Sequence, residues 1–149
     1  MDRLVDVYPY RRRQSQIEVL LLKRSTDVIY TGQWRMVGGK VGKDEKAYNA
    51  GLRELDEETT LHPKLFWVLP SVNQFYDPKV DSIRQIPAFA AEVQPEASIV
   101  LNHEHSAYKW VPQDEVSTYI HWPEQRRLIN LLISIVTHNQ LIDEWILEL

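Results

Sequence analysis

Three carboxylates, Glu54, Glu57 and Glu58, sit at intervals that invite chemistry. On an α-helix they fall within an arc of about 100° on one face. Like charges at that spacing cost a few tenths of a kcal/mol per pair even when exposed. Solvent, the neighbouring guanidinium of Arg53 or a bound cation must offset the repulsion. Oxygen ligands alone, in a chain without cysteine, suit a hard ion, Mg2+ or Mn2+. Taken in isolation, the same triplet reads first as a solvated acidic helix face.

A second group is Asn102-His103-Glu104-His105. Alone it reads as a polar loop more readily than as a metal site. In a strand, the two histidines would share a side and Glu104 would face away. Lys23 and Arg24 close an apolar run, where a basic residue can meet substrate phosphates or simply be solvated. Tyr76 and Phe75 are candidates for contact with a base, one of them being expected in the core. Trp34 reads as a packing anchor, and Trp122 and Trp145 as core or a dimer surface.

These residues need a scaffold, and the hydrophobic pattern supplies one. Leu4 to Tyr10 and Ile17 to Leu22 read as strands, Lys23 to Gln33 as a loop, and Trp34 to Val37 as a short strand ending in Gly38-Gly39. Asp44 is an expected N-cap for a helix from Glu45 to about Thr59. That helix should stop by His62, because the residue before Pro63 is biased away from helical geometry. Ala47, Ala50, Gly51 and Leu55 keep another of its faces small or apolar, so it can pack closely on a sheet. Leu65 to Tyr76 and Ile86 to Val93 read as longer strands, joined through Asp77-Pro78, with Pro87 marking an edge or bulge. Ala107 to Val111 is a short strand, and Pro112 opens a turn or short helix. Leu128, Leu131, Leu132 and Ile135 recur at helical spacing after Pro123, with an interruption at Asn139. The expected class is α+β, a mixed sheet packed between helices, with residues 1–149 forming a single domain.

The context of the three glutamates adds more. Gly39, then Glu45 after five residues, then Arg53-Glu54-Leu55-Asp56-Glu57-Glu58-Thr59-Thr60-Leu61 after seven more, resembles the Nudix box. The box reads Gly, five residues, Glu, seven residues, Arg-Glu-apolar-x-Glu-Glu-x-Gly-apolar. Gly39, Glu45, Arg53, Glu54, Leu55, Glu57, Glu58 and Leu61 match it. The resemblance implies an α/β/α sandwich and a loop–helix–loop that holds Mg2+ or Mn2+ against a diphosphate. It implies Glu57 and Glu58 as main metal ligands beside the Gly39 carbonyl. Glu54 would ligate directly or through water and activate the attacking water, Arg53 would steer a carboxylate, and Glu45 would brace the loop. The Glu-His-x-Ala-Tyr-Lys-Trp run from Glu104 is similar to the branch of dihydroneopterin triphosphate and dATP pyrophosphohydrolases, which implies that Glu104 completes the metal site. Thr60 departs from the box glycine; a β-branched residue is costly at positive φ, so another helix-exit geometry is expected. Val37, Gly42 and Asp44 also depart from common box residues, none of them at a carboxylate ligand.

Composition narrows the classes. A net charge of −4, from 17 basic and 21 acidic residues, argues against stable nucleic-acid binding. The Arg11-Arg12-Arg13 run reads as a solvated turn. No apolar stretch reaches the roughly 18 residues of a membrane span, and no apolar region follows Met1-Asp2-Arg3-Leu4 as in a signal peptide. A cytoplasmic hydrolase of a small nucleotide-like substrate, giving monophosphate and pyrophosphate from a triphosphate, is the expectation. A homodimer is compatible with it. A dinucleoside polyphosphate or nucleotide-sugar hydrolase, or a non-catalytic nucleotide-binding module, are the alternatives.

Overall fold

The computed structural model describes residues 2–149. The strands are β1 (Leu4–Arg13), β2 (Gln16–Arg24), β3 (Trp34–Arg35), β4 (Val37–Lys40), β5 (Leu65–Asp77), β6 (Ser82–Glu92), β7 (His105–Pro112) and β8 (Ile146–Leu147). The helices are α1 (Ala47–Thr59), α2 (Val116–Tyr119) and α3 (Pro123–Thr137). The sheet runs β3-β2-β1-β6-β5-β8, with β4 also on β1 and β7 on β2. It is mixed: β1 and β6 run parallel, and the other pairings are antiparallel.

Alternation along the strands divides the core into two layers. Val5, Val7, Leu20 and Leu22 meet Ala50 and Leu55 of α1 on one face. Tyr8, Tyr10, Val19 and Leu21 meet Leu128, Ile129 and Leu132 of α3 on the other. This is the expected α/β/α sandwich, and it leaves β1 and β2 buried on both sides. Close packing of α1 depends on Gly51, where a Cβ would lie 3.0 Å from a Val7 methyl. Among the described residues no helix is long and apolar enough to cross a membrane.

Several boundaries differ from the expectation. Arg11 to Arg13 continue β1 in register with Glu18, Ile17 and Gln16. Arg11 Nε donates to Glu18 Oε1 at 2.7 Å, and its guanidinium lies 4.5 Å from the Trp110 ring centroid. Cross-strand pairing thus makes a strand of the expected turn. Lys23 and Arg24 belong to β2, not to the loop. The strand at Trp34 is two strands, because the chain passes from pairing with β2 to pairing with β1 at Met36. Asp44 does not cap α1, which starts at Ala47 after Lys46 with no side-chain cap. Glu45 lies before the helix, its carboxylate held by Arg53 and the Gly42 N–H.

Thr60 takes the left-handed conformation after all, at φ 63°, and its N–H donates to the Asp56 carbonyl at 2.8 Å. The Thr59 carbonyl accepts from the Val100 N–H, and Thr59 Oγ1 accepts from the Leu61 N–H. These bonds hold a helix exit that the residue type disfavours. β6 begins at Ser82, before Pro87, and the irregularity lies opposite it, between Val68 and Val72 of β5. Pro87 itself precedes Ala88, the first residue of β6 paired with β1. The last helix ends at Thr137, and Asn139 follows at φ 54°.

Candidate active site

β4 lies between α1 and β1, and its two glycines face different neighbours. A Cβ on Gly39 would collide with the Glu54 carboxyl group. A Cβ on Gly38 would lie 2.9 Å from the Val5 carbonyl and 3.1 Å from Asp6 Oδ1. Side chains missing from both positions leave room for a pocket of about 610 Å3 that runs from α1 to the start of α3.

At the α1 end, Glu54, Glu58 and Glu104 each offer a carboxylate oxygen within 4.8 Å of the others. Glu54 and Glu58 are one turn apart on α1. Glu104 arrives from the turn before β7, where its N–H donates to Asn102 Oδ1 at 3.0 Å and its carbonyl accepts from the Ser25 N–H at 2.9 Å. Asn102, in the sequence only the start of this polar run, therefore fixes the turn that carries Glu104. Burial pushes the Glu58 carboxyl up to about 10, helped by contact with Glu54 and by the charge of Glu104, while Arg24 opposes the shift. His105 is pushed down to about 4, first by burial and then by Arg24. Its Nδ1 lies 3.6 Å from Glu58 Oε1. With those shifts, the contact joins two neutral groups and is not an ion pair.

A hard divalent cation fits this donor set. Among the described residues Glu58 Oε2 is buried with no hydrogen-bond partner, and an all-oxygen cluster of mutually repelling carboxylates is what such an ion neutralises. The Gly39 backbone lies against the same cluster.

Arg53 organises the flank. Its Nε and Nη2 grip the two oxygens of Glu45 at 2.9 Å, Nη2 also donates to the Lys40 carbonyl, and Nη1 donates to Glu54 Oε1 at 2.9 Å. This grip, with the Gly42 N–H, holds the Glu45 carboxyl down at about 2. Glu57 is not brought into the cluster: it is half exposed and takes only long contacts of 3.3 and 3.4 Å from Arg53 Nη1.

The remaining expected residues divide. Arg24 lines the pocket, its Nε donating to the Ile29 carbonyl at 3.1 Å. Lys23 is absent from the lining. Tyr76 is exposed and donates to Asp81 Oδ1 at 2.7 Å, outside the pocket; Phe75, one residue earlier on the opposite face of β5, lines it instead. His103 is exposed in a turn, so the two histidines do not share a strand face. Trp122, expected in the core or a dimer surface, stands on the pocket wall with Tyr30 and Phe75.

The other end of the pocket is built from residues that carry no sequence motif. Asp6 lies at its foot, where Asn73 Nδ2 donates to Asp6 Oδ2 at 3.0 Å. Burial raises the Asp6 carboxyl to about 6, against the lowering effects of Asn73 and Arg35. A charged residue on the same strand face as Tyr8 and Tyr10 was the available signal.

The NUDIX domain family model matches residues 2–132. An octanoyltransferase of Myxococcus xanthus is 29% identical over 116 residues, covering 73% of this chain but 30% of that protein, so the chain spans less than a third of its length. Among solved structures, the Caenorhabditis elegans Ap4A hydrolase in a binary complex superposes with a TM-score of 0.77 at 19% identity, over 93% of this chain and 99% of that one. The Escherichia coli dihydroneopterin triphosphate pyrophosphohydrolase gives 0.73 at 22%, over 89% and 97%. The NUDIX domain of Shewanella oneidensis NrtR, complexed with ADP ribose, gives 0.74 at 21%, over 91% and 88%. At these identities the structural likeness is one of fold.

Proposed function

The chain belongs to the NUDIX domain family, and on that premise we propose that it is a hydrolase converting a nucleoside triphosphate or similar small organic triphosphate to the monophosphate and pyrophosphate. The convergence of Glu54, Glu58 and Glu104 at one end of a ligand-sized pocket carries the reading. Glu54, Glu58, Glu104 and the Gly39 carbonyl would hold Mg2+ or Mn2+, and Glu57 would join them by leaving its long contact with Arg53. Such an ion, when bound, supplies charge neutralisation for the diphosphate and acidifies water.

The protein groups have separate tasks in this reading. Arg24, on the pocket wall beside the cluster, binds a phosphate oxygen. Arg53 orients Glu54 through the bond to its Oε1. Glu54 takes a proton from the attacking water as the water oxygen bonds to phosphorus and the bond to the leaving phosphate oxygen breaks. Glu104, tied to Asn102, closes the site from the opposite side. Lys23, outside the lining, serves at most the outer phosphates, and Tyr76 has no part.

The test is a product analysis. The purified protein is incubated with nucleoside triphosphates, dihydroneopterin triphosphate, dinucleoside polyphosphates and nucleotide sugars, with Mg2+ or Mn2+. The expected product from a triphosphate is pyrophosphate, not orthophosphate. Turnover of dinucleoside polyphosphates or nucleotide sugars alone would replace this reading with that substrate class. Binding without turnover of any compound would make the protein a nucleotide-binding module.

A further inference from the structure

We infer that the inner end of the pocket selects an organic ring bearing a carbonyl, a ring N–H and an amino group in a row, the edge shared by guanine and pterins. The inference rests on the proposed reading only for where the phosphates go; the ring site is argued from its own residues. Asp6 is buried, and Asn73 occupies only its Oδ2. Oδ1 faces the space that Gly38 leaves open and receives no hydrogen bond among the described residues. A carboxylate has about four acceptor positions, so Asp6 retains capacity for two parallel N–H donors.

Arg35 lines the same cavity with its guanidinium over the Tyr30 ring, and its Nη1 is buried with no hydrogen-bond partner among the described residues. It is a donor in want of an acceptor, and a ring carbonyl is one. Gln125 is fully buried at the start of α3, also lines the cavity, and its Oε1 is unpartnered. It can take a further amino hydrogen. Phe75 and Trp122, with ring centroids 6.5 Å apart, supply apolar walls for a flat ring. Buried polar groups left without partners are costly, and a ligand that satisfies them gains what the free protein lacks.

The pattern separates the common rings by chemistry. Guanine offers carbonyl, N–H and amino group in order, as does the pyrimidinone ring of a pterin. Hypoxanthine lacks the amino group. Adenine turns a ring-nitrogen lone pair toward the Asp6 carboxylate, and uracil replaces the amino group with a second carbonyl. A well-made bidentate contact discriminates by about tenfold to a hundredfold.

The experiment measures equilibrium binding of GMP, IMP, AMP, UMP and 7,8-dihydroneopterin in excess chelator by titration calorimetry. The same protein is then assayed with Mg2+ on GTP, ITP, ATP, UTP and dihydroneopterin triphosphate. GMP or dihydroneopterin should bind at least tenfold more tightly than IMP and more tightly still than AMP or UMP. The tighter of the two favoured ligands identifies the source of the ring. Asp6→Asn should cut binding of the favoured ligand at least tenfold and leave AMP binding unchanged. The comparison among ligands on the unaltered protein stands even where that variant folds poorly. Equal binding of GMP and AMP, no binding of either favoured ligand, or an equal loss for every ligand in Asp6→Asn would overturn the inference. Discrimination without hydrolysis would sink the hydrolase reading and leave the ring site standing; hydrolysis that favours ATP or UTP would do the reverse.

Discussion

Replacing Glu58 by Gln should make the metal-free protein more stable and the enzyme nearly inactive. Glu58 is 1% exposed, and its carboxyl is raised to about 10, chiefly by burial and then by Glu54 and Glu104. In the unfolded chain it titrates near 4.5. A folded value above the unfolded one means that the group's contribution is fully present below pH 4.5 and is lost as pH rises toward the folded value. Each pH unit above 4.5 costs about 1.4 kcal/mol, so at pH 7 the metal-free fold carries a penalty of about 3 kcal/mol. That figure requires only that the folded value exceed 7. A neutral glutamine carries no such penalty, and the Glu54 carboxylate beside it can accept its amide hydrogen. For a chain of this size, about 3 kcal/mol corresponds to roughly 6–12 °C in Tm. The assay is thermal unfolding of both proteins in excess chelator from pH 5 to 8, repeated with Mg2+ or Mn2+. In chelator the variant should melt higher, with a gap that widens with pH. With metal the parent should gain stability and the variant should not, while turnover falls a hundredfold or more. A variant that melts no higher than the parent at pH 8 in chelator, or a gap independent of pH, would rule out a raised Glu58 carboxyl in the metal-free fold.

Chelation should abolish turnover, and Mg2+ or Mn2+ should restore it, because bare carboxylates repel a polyphosphate; full turnover in excess chelator would remove the metal from the mechanism. Glu104→Gln should lower kcat more than it raises KM, with His103→Ala nearly silent. Steady-state kinetics decide this, and a pure KM effect would assign Glu104 to substrate binding. Thr60→Gly should stabilise the protein by up to about 1 kcal/mol in urea unfolding, since glycine holds φ 63° without the side-chain clash. A loss of stability there would mean that the bond Thr60 Oγ1 donates to the Thr59 carbonyl outweighs the relieved strain.

The carboxylate end of the pocket was legible in part because it is local. Arg53, Glu54 and Glu58 lie on one helix, so helical spacing alone brings them together, whereas Gly39 meets Glu54 only because α1 packs on β4, and Glu57, expected as a main ligand, stays outside the cluster. Glu104 was reachable only by resemblance, since its approach depends on β7 pairing with β2 and on Asn102 turning the chain. The errors share a physical cause. Asp44 looks like a cap, yet Arg53 claims Glu45 from eight residues away and the helix starts later. Arg11 looks solvated, yet Glu18 across the hairpin pairs with it. Thr60 looks excluded from positive φ, yet the β-branched residue is held there by the bonds around Thr59.

Substrate choice is illegible for the opposite reason. Asp6, Arg35, Asn73 and Trp122 come from β1, β3, β5 and the edge of α3. Asp6 is aligned with Ala88 across a parallel pair, and Asn73 with Ile86 across an antiparallel one, so the two meet only through the register of β6. No spacing rule along the chain encodes that meeting. The division also has a mechanistic consequence. Gly38 and Gly39 put the two ends of the pocket against opposite neighbours of one short strand. A change at Trp122 or Asp6 therefore alters which ring is held without displacing Glu54 or Glu58. On the proposed reading, recognition can vary while the carboxylate cluster stays fixed, so the box speaks to the chemistry at the diphosphate and says little about the group attached to it.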